Sequence, residues 1–255
     1  MVEIQVYPDS VHLMRAAAEV VTAAGQAAIA AQRRFNLVLA GGETPAALYS
    51  LLAADPYAAR LDWEAVHVFW GDERCVPPHH PESNYRMARE TLLDHVPIPP
   101  HNIHRMRGED DPVQAALVYQ DELRAHFNGP PRFDLVLLGM GADGHTASLF
   151  PGAPALAERV RLAVAVFATH RGSWRVTLTY PALNAAALAV FLVSGSGKAE
   201  TLRAVLEGPQ RPADLPAQAV RPTSGRLLWL ADADAARLLS RPAARSERHD
   251  RPDAP

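Results

Sequence analysis

The chain has 255 residues and a formal net charge of −3, from 25 Lys and Arg against 28 Asp and Glu. Its 48% hydrophobic and 21% charged content is that of a globular chain and excludes an intrinsically disordered one. The near-neutral balance excludes broad binding to a nucleic-acid backbone, and a single cysteine, Cys75, excludes an internal disulfide or a Cys-rich zinc site.

The first ten residues have neither a basic start nor an apolar core, so no signal peptide is expected. The longest wholly apolar stretch, 185–193, is too short to cross a bilayer. A cytoplasmic chain without membrane or nucleic-acid partners is expected, a monomer or at most a weak dimer.

Short apolar runs alternate with helical patterns. Residues 3–7 read as a strand and 10–33 as an Ala-rich helix with Asp9 or Ser10 as N-cap. Residues 35–40 (FNLVLA) read as a buried strand, followed by Gly41-Gly42 and a helix from Pro45, where the missing N–H costs nothing. A strand at 65–70, a helix at 83–94, a Pro- and His-rich loop and a helix at 112–127 follow. Residues 134–140 (DLVLLGM) give the clearest buried strand. Strands are then expected at 162–167 and 175–180, at 189–193 before a helix at 198–207, and at 227–230 before a last helix at 234–239. The stretch 241–255 is charged, Pro-rich and aperiodic, so a disordered tail is expected there. Repeated strand–loop–helix units without a linker imply one α/β domain over 1–240 around a mostly parallel sheet covered on both faces.

In open α/β sheets ligands bind beyond the carboxyl ends of the strands. Four such positions are glycine-rich and polar: Gly41-Gly42-Glu43-Thr44, Gly71-Asp72-Glu73-Arg74, Gly141-Ala142-Asp143-Gly144-His145 and Ser194-Gly195-Ser196-Gly197-Lys198. The first and last resemble backbone-amide nests at helix starts, which suit an anion. With Arg74 and Lys198 added, a phosphate monoester is the natural guest, although a glycine after a strand also serves a plain tight turn. Lys198 is the sole lysine beside 24 arginines, as if a compact ammonium were needed there. His145 can act as a general base with Asp143 orienting its ring; spacing alone leaves open that Asp143 caps a following helix and His145 merely packs.

Other motifs fail. Residues 139–144 fit G-x-G-x-x-G but put Asp143 where a pyrophosphate must approach. Leu192 stands where a Walker loop needs its first glycine, and there is no G-x-S-x-G elbow. His79 with His80, and His101 with His104, read as solvated loop histidines rather than metal ligands, and Cys75 as a buried inert thiol.

The segment DLVLLGMGADGHTASLFP (134–151) resembles the signature of 6-phosphogluconolactonases, as do AGGETP (40–45), WGDERCVP with ESNY (70–77, 82–85), RVTLTYPALN (175–184) and VSGSGKAE (193–200). The resemblance runs in order along almost the whole of 1–240. It implies a fold like that of glucosamine-6-phosphate isomerases, a doubly wound, Rossmann-like α/β/α sandwich without cofactor or metal. It implies hydrolysis of 6-phospho-D-glucono-1,5-lactone in the oxidative pentose phosphate pathway, with a sugar phosphate as the only partner. By the same resemblance His145 is the general base, supported by Asp143. Phosphate and substrate contacts fall to Gly41, Gly42, Thr44, Asp72, Arg74, Gly144, Arg175 and Lys198. Oxyanion stabilisation is expected from the N–H of Gly42 or from the 141–144 loop.

Glu43 departs from the family pattern, where Ser or Arg commonly follows the paired glycines, and a carboxylate there would repel a phosphate unless it points away. The amino-sugar-phosphate isomerases follow D-G-H with I-A-F-N-E-P. Here T-A-S-L-F-P lacks that acid, which disfavours their reaction. A non-catalytic sugar-phosphate sensor is disfavoured because strand one begins at once and the Asp143/His145 pair is intact.

Overall fold

A computed structural model describes residues 2–240; the expected tail, 241–255, lies outside the described residues. Strand β1 (Val2–Tyr7) leads into α1 (Ser10–Gln32), where the Asp9 side chain accepts the His12 backbone N–H at 2.9 Å as N-cap. One stripe of α1 (Leu13, Met14, Ala17, Ala18 and Val21) is buried at helical spacing. Every residue of β2 (Phe35–Leu39) is buried, and α2 (Glu43–Leu52) starts two residues before Pro45. Strands β3 (Val66–Trp70) and β4 (Asp72–Arg74) precede α3 (Asn84–Thr91), capped by Ser83 Oγ, and the two-residue β5 (Ile103–His104). Helix α4 (Pro112–Phe127) has proline at its first position and Asp111 Oδ1 accepting from the Val113 and Gln114 N–H groups at 3.1 Å. Then come β6 (Leu135–Gly139), β7 (Ala163–Ala168), β8 (Ser173–Leu178), α5 (Tyr180–Leu183), β9 (Leu188–Val193), α6 (Ala199–Glu207), β10 (Arg226–Asp232) and the four-residue α7 (Ala233–Ala236).

Seven strands form one sheet in the order β1-β10-β9-β6-β2-β3-β5, every pairing parallel. The chain winds outward from β2 through β3 to β5, then returns to the other side of β2 and winds through β6, β9 and β10. This is the doubly wound arrangement read from the sequence, with its switch point between β2 and β6. The ladder there has only two register pairs, Leu37 with Leu135 and Val38 with Val136, so the two strands part toward their carboxyl ends.

A second sheet was not anticipated. Strands β4, β8 and β7 pair antiparallel in that order. The Asp72–Arg74 segment, read as a loop, is therefore a strand whose register sets Asp72 opposite Thr177 and Arg74 opposite Arg175. Its middle residue, Glu73, is buried at 2% exposure. Burial raises its pKa, while the Arg74, Asn84 and Tyr85 backbone N–H groups and the Ser83 hydroxyl donate to its two oxygens and hold it down. That carboxylate ties β4 to the start of α3. His104, read as a solvated loop histidine, is a strand residue 9% exposed, because β5 extends the sheet past β3. Among the described residues no helix is long and apolar enough to cross a membrane.

Candidate active site

A cavity of about 360 Å³ opens at the switch point. Ala40, Gly41 and Gly42 after β2, and Gly139, Met140 and Gly141 at the end of β6, form its floor; Asp72, Arg74 and Arg175 of the second sheet form a wall. His145, Ser148 and Phe150 line it from the loop after β6, Lys198 from the turn before α6. The parallel sheet thus supplies the floor and the small antiparallel sheet the charged side.

His145 is held on one side only. Its Nδ1 lies 2.5 Å from Asp143 Oδ1, and the same oxygen accepts the His145 backbone N–H at 3.2 Å. Phe150 tilts against the imidazole with ring centroids 4.8 Å apart. The carboxylate on Nδ1 sets the tautomer that leaves the Nε2 lone pair unprotonated, and Nε2 has no hydrogen-bond partner among the described residues. Partial burial pushes the Asp143 pKa up, but the charge of His145 and its hydrogen bonds outweigh that and hold the carboxyl below its ordinary value. No helix follows directly, so Asp143 braces the histidine rather than capping a helix. The loop is tied down by Thr146 Oγ1 donating to Gly139 O at 2.9 Å and Thr201 Oγ1 donating to Ala142 O at 2.5 Å.

The cations lining the cavity with this imidazole make no ion pair among the described residues. Arg74 and Arg175 stand directly opposite each other on the β4–β8 ladder, a placement that costs energy unless an anion sits between or above them. Arg175 is 7% exposed, and its Nη1 is buried without a hydrogen bond. Burial, then the charge of Arg74, lowers its pKa, and the carboxylates of Asp72 and Glu82 offset only part of this. Arg74 Nη1 donates to the Glu82 backbone carbonyl, and neither arginine makes an ion pair with a described residue. Lys198 is half-buried and likewise makes no ion pair there. Asp72 is fixed on both oxygens, Oδ2 accepting from Ser148 Oγ at 2.6 Å and Oδ1 from Asn84 Nδ2 at 3.2 Å.

Of the residues singled out in the sequence, the cavity gathers Gly41, Gly42, Asp72, Arg74, His145, Arg175 and Lys198, with Asp143 behind His145. Three expectations need correction. Thr44 lies further into α2 and does not line the cavity. Gly144 does not either: it adopts φ +79°, is buried against Leu215, and a Cβ there would meet Leu215 Cδ2 at 2.7 Å. Its N–H donates to Gly141 O, and the Gly141 N–H to His145 O, so these two loop amides are already used, whereas Gly42, which lines the cavity, stays a candidate oxyanion donor. The 194–198 turn is only partly open as a nest, because the Gly195 N–H donates to the buried Asp232 carboxylate and Ser194 Oγ bonds the same group. Glu43 is exposed in the first turn of α2, away from the lining, and so does not oppose an anion in the cavity. Lining residues that were not singled out include Arg171, Ser148, Phe150 and Glu82. The basic residue beside Gly172 in the β7–β8 hairpin was the visible signal for Arg171.

Gly141 makes a direct test of the His145 brace. A Cβ there would lie 2.1 Å from His145 Nδ1 and 2.4 Å from Asp143 Oδ1. Gly141→Ala is therefore expected to push the two side chains apart and cut kcat by about 10²-fold, the scale set by a misplacement of order 1 Å. Circular dichroism should remain native; unchanged turnover would show that the brace is dispensable.

A family model described as glucosamine-6-phosphate isomerases/6-phosphogluconolactonase matches residues 8–229. The chain belongs to this family. A 6-phosphogluconolactonase of Nostoc sp. is 41% identical over 93% of this chain and 98% of its own, and one of Synechocystis sp. 45% identical over 82% and 86%. The solved 6-phosphogluconolactonase of Trypanosoma brucei superposes with a TM-score of 0.84 at 29% identity, covering 94% of this chain and 99% of that one.

Proposed function

We propose that this cavity opens the ring of 6-phospho-D-glucono-1,5-lactone by a water that His145 activates. The activity is that of the 6-phosphogluconolactonase relatives: a lactone hydrolase of the pentose phosphate pathway yielding 6-phosphogluconate. The roles of individual residues rest on one observation, the unpartnered Nε2 of an Asp143-braced imidazole lining the same cavity as the buried, unpaired guanidinium of Arg175.

In this reading the phosphate dianion lies against Arg175, Arg74 and Lys198, satisfying the donors that the protein leaves open. Asp72, fixed by Ser148 and Asn84, accepts from a sugar hydroxyl. The anchored substrate holds its C1 carbonyl beside His145. Nε2 takes a proton from water as the water oxygen bonds C1, and the Gly42 N–H stabilises the oxyanion. When the C1–O5 bond breaks, the imidazolium returns its proton to O5, and Asp143 stabilises the cation meanwhile. The lactone is already electrophilic, so the protein supplies position, a base and an anion site. In this reading every group comes from one chain, and the setting is the cytoplasm.

The test is hydrolysis of freshly made lactone, with 6-phosphogluconate measured by a coupled dehydrogenase and spontaneous opening subtracted. A rate no higher than background overturns the reading, and ammonia release from glucosamine 6-phosphate would transfer it to the isomerase side of the family. Lys198→Ala should raise KM about tenfold or more with kcat little changed, as expected for one lost charge-assisted hydrogen bond. An unchanged KM would move the phosphate elsewhere.

A further inference from the structure

Away from the cavity, three histidines from three elements converge where α4 packs near the β3–β5 edge of the large sheet. His67 lies early in β3, His104 closes β5, and His126 lies in the last turn of α4. One ring nitrogen of each lies within 4.8 Å of the others. His67 Nδ1 and His104 Nε2 are 3.1 Å apart, close to the roughly 3.3 Å between two imidazole nitrogens on one tetrahedral zinc.

Two of the rings are oriented from behind. His104 Nδ1 is 2.8 Å from Glu122 Oε1, so it carries the proton and leaves Nε2 with its lone pair. His126 Nε2 is 2.7 Å from Asn36 Oδ1. The Asn36 amide is itself oriented, because its Nδ2 donates to Asp134 Oδ2 at 3.0 Å. Asn36 therefore presents a carbonyl, His126 Nε2 is a donor, and Nδ1 holds the lone pair. His67 has no carboxylate or carbonyl behind it; in the metal-free protein its Nδ1 donates to the His104 Nε2 lone pair at 3.1 Å, and to ligate through Nδ1 it must carry its proton on Nε2 instead. Packing of His104 on Phe69, with centroids 4.4 Å apart, and of His126 against Phe69 and Phe127 accounts for where two rings sit but not for a carboxylate and an amide carbonyl fixing their tautomers.

We propose that His67, His104 and His126 form a binding site for a divalent transition-metal ion, zinc above all, with the fourth position open to water. Three neutral imidazoles with a carboxylate behind one of them suit a borderline-soft ion better than magnesium or calcium, which demand oxygen ligands. The half-buried His67 and His126 rings need to move by only about 1.5 Å, within ordinary side-chain adjustment, to reach tetrahedral spacing. The ion would join β3, β5 and α4, fastening an edge strand that is held by only two register pairs. It lies outside the catalytic cavity, so its role is structural.

The experiment titrates zinc into the full chain after chelator treatment, by calorimetry. The expected result is one equivalent bound, with affinity at least tenfold weaker in His67→Gln and in His126→Gln, both keeping wild-type lactonase turnover, and unchanged in His145→Gln. No binding by the wild type, wild-type affinity in either cluster variant, or loss in His145→Gln would overturn it. If the cluster variants fail to fold, the wild type alone decides. Nitrogen-15 spectra of the 11 histidine rings should show zinc-dependent shifts of directly ligated nitrogens in three of them, and shifts confined to other histidines would refute the site.

Discussion

His145→Ala is expected to lower kcat by about three orders of magnitude, within the 10²–10⁴ range of general-base catalysis, while the affinity for 6-phosphogluconate changes little. The split follows from the geometry: the imidazole meets water and C1, whereas the phosphate lies against Arg74, Arg175 and Lys198. Stopped assays on fresh lactone, with product binding by calorimetry, measure both halves. Near-normal turnover would remove His145 from the chemistry, and a parallel collapse of product binding would make it a binding residue. Asp143 sharpens the same test. Its Oδ1 receives both the backbone N–H and Nδ1 of His145, at 3.2 and 2.5 Å. An asparagine can keep both contacts through its carbonyl and remove only the charge that stabilises the imidazolium. Asp143→Ala removes orientation and charge together. Asp143→Asn should therefore fall between wild type and Asp143→Ala in kcat, with KM unchanged in both.

The parts of this site that are legible in the sequence are those whose signal is local. A buried strand such as 135–139 announces itself by a continuous apolar run, and Asp9 and the Asp111-Pro112 pair announce helix starts by chemistry at fixed offsets. The glycines after β2 and β6 mark where the backbone must turn at the carboxyl edge of the sheet, and that alone puts His145 and Gly41-Gly42 on one rim. What stayed hidden depends on partners distant in the chain. Strand β4 is three charged residues with no alternation; it is a strand because β8, about a hundred residues later, pairs with it and because Glu73 is captured by the start of α3. The 194–198 glycines resemble an anion nest, and only Asp232, arriving from the end of β10, shows that the Gly195 amide is already satisfied. The histidine cluster joins positions 67, 104 and 126, whose spacing matches no local ligand pattern.

Arg175→Met separates what the molecule needs for folding from what it needs for its substrate. Arg175 is buried, stands opposite Arg74, and leaves Nη1 without a partner, so in the empty protein its charge carries a desolvation cost and a cross-strand repulsion with no compensating ion pair. Methionine fills similar space without either cost. The variant should therefore melt at the same temperature as the wild type or a few degrees above it. Its kcat/KM should nonetheless fall by about 10²-fold or more, since a guanidinium lost from a phosphate site forfeits charge-assisted hydrogen bonds of about 1.5–3 kcal/mol each. Inorganic phosphate or 6-phosphogluconate should raise the melting temperature of the wild type and do so far less in the variant, because a ligand stabilises a protein only as far as it binds the native state. A variant that melts lower and keeps its KM would make Arg175 a structural residue. In that case the anion site would have to be rebuilt on Arg74, Lys198 and the exposed Arg171 alone, three groups that solvent already reaches and that have less reason to wait for a dianion.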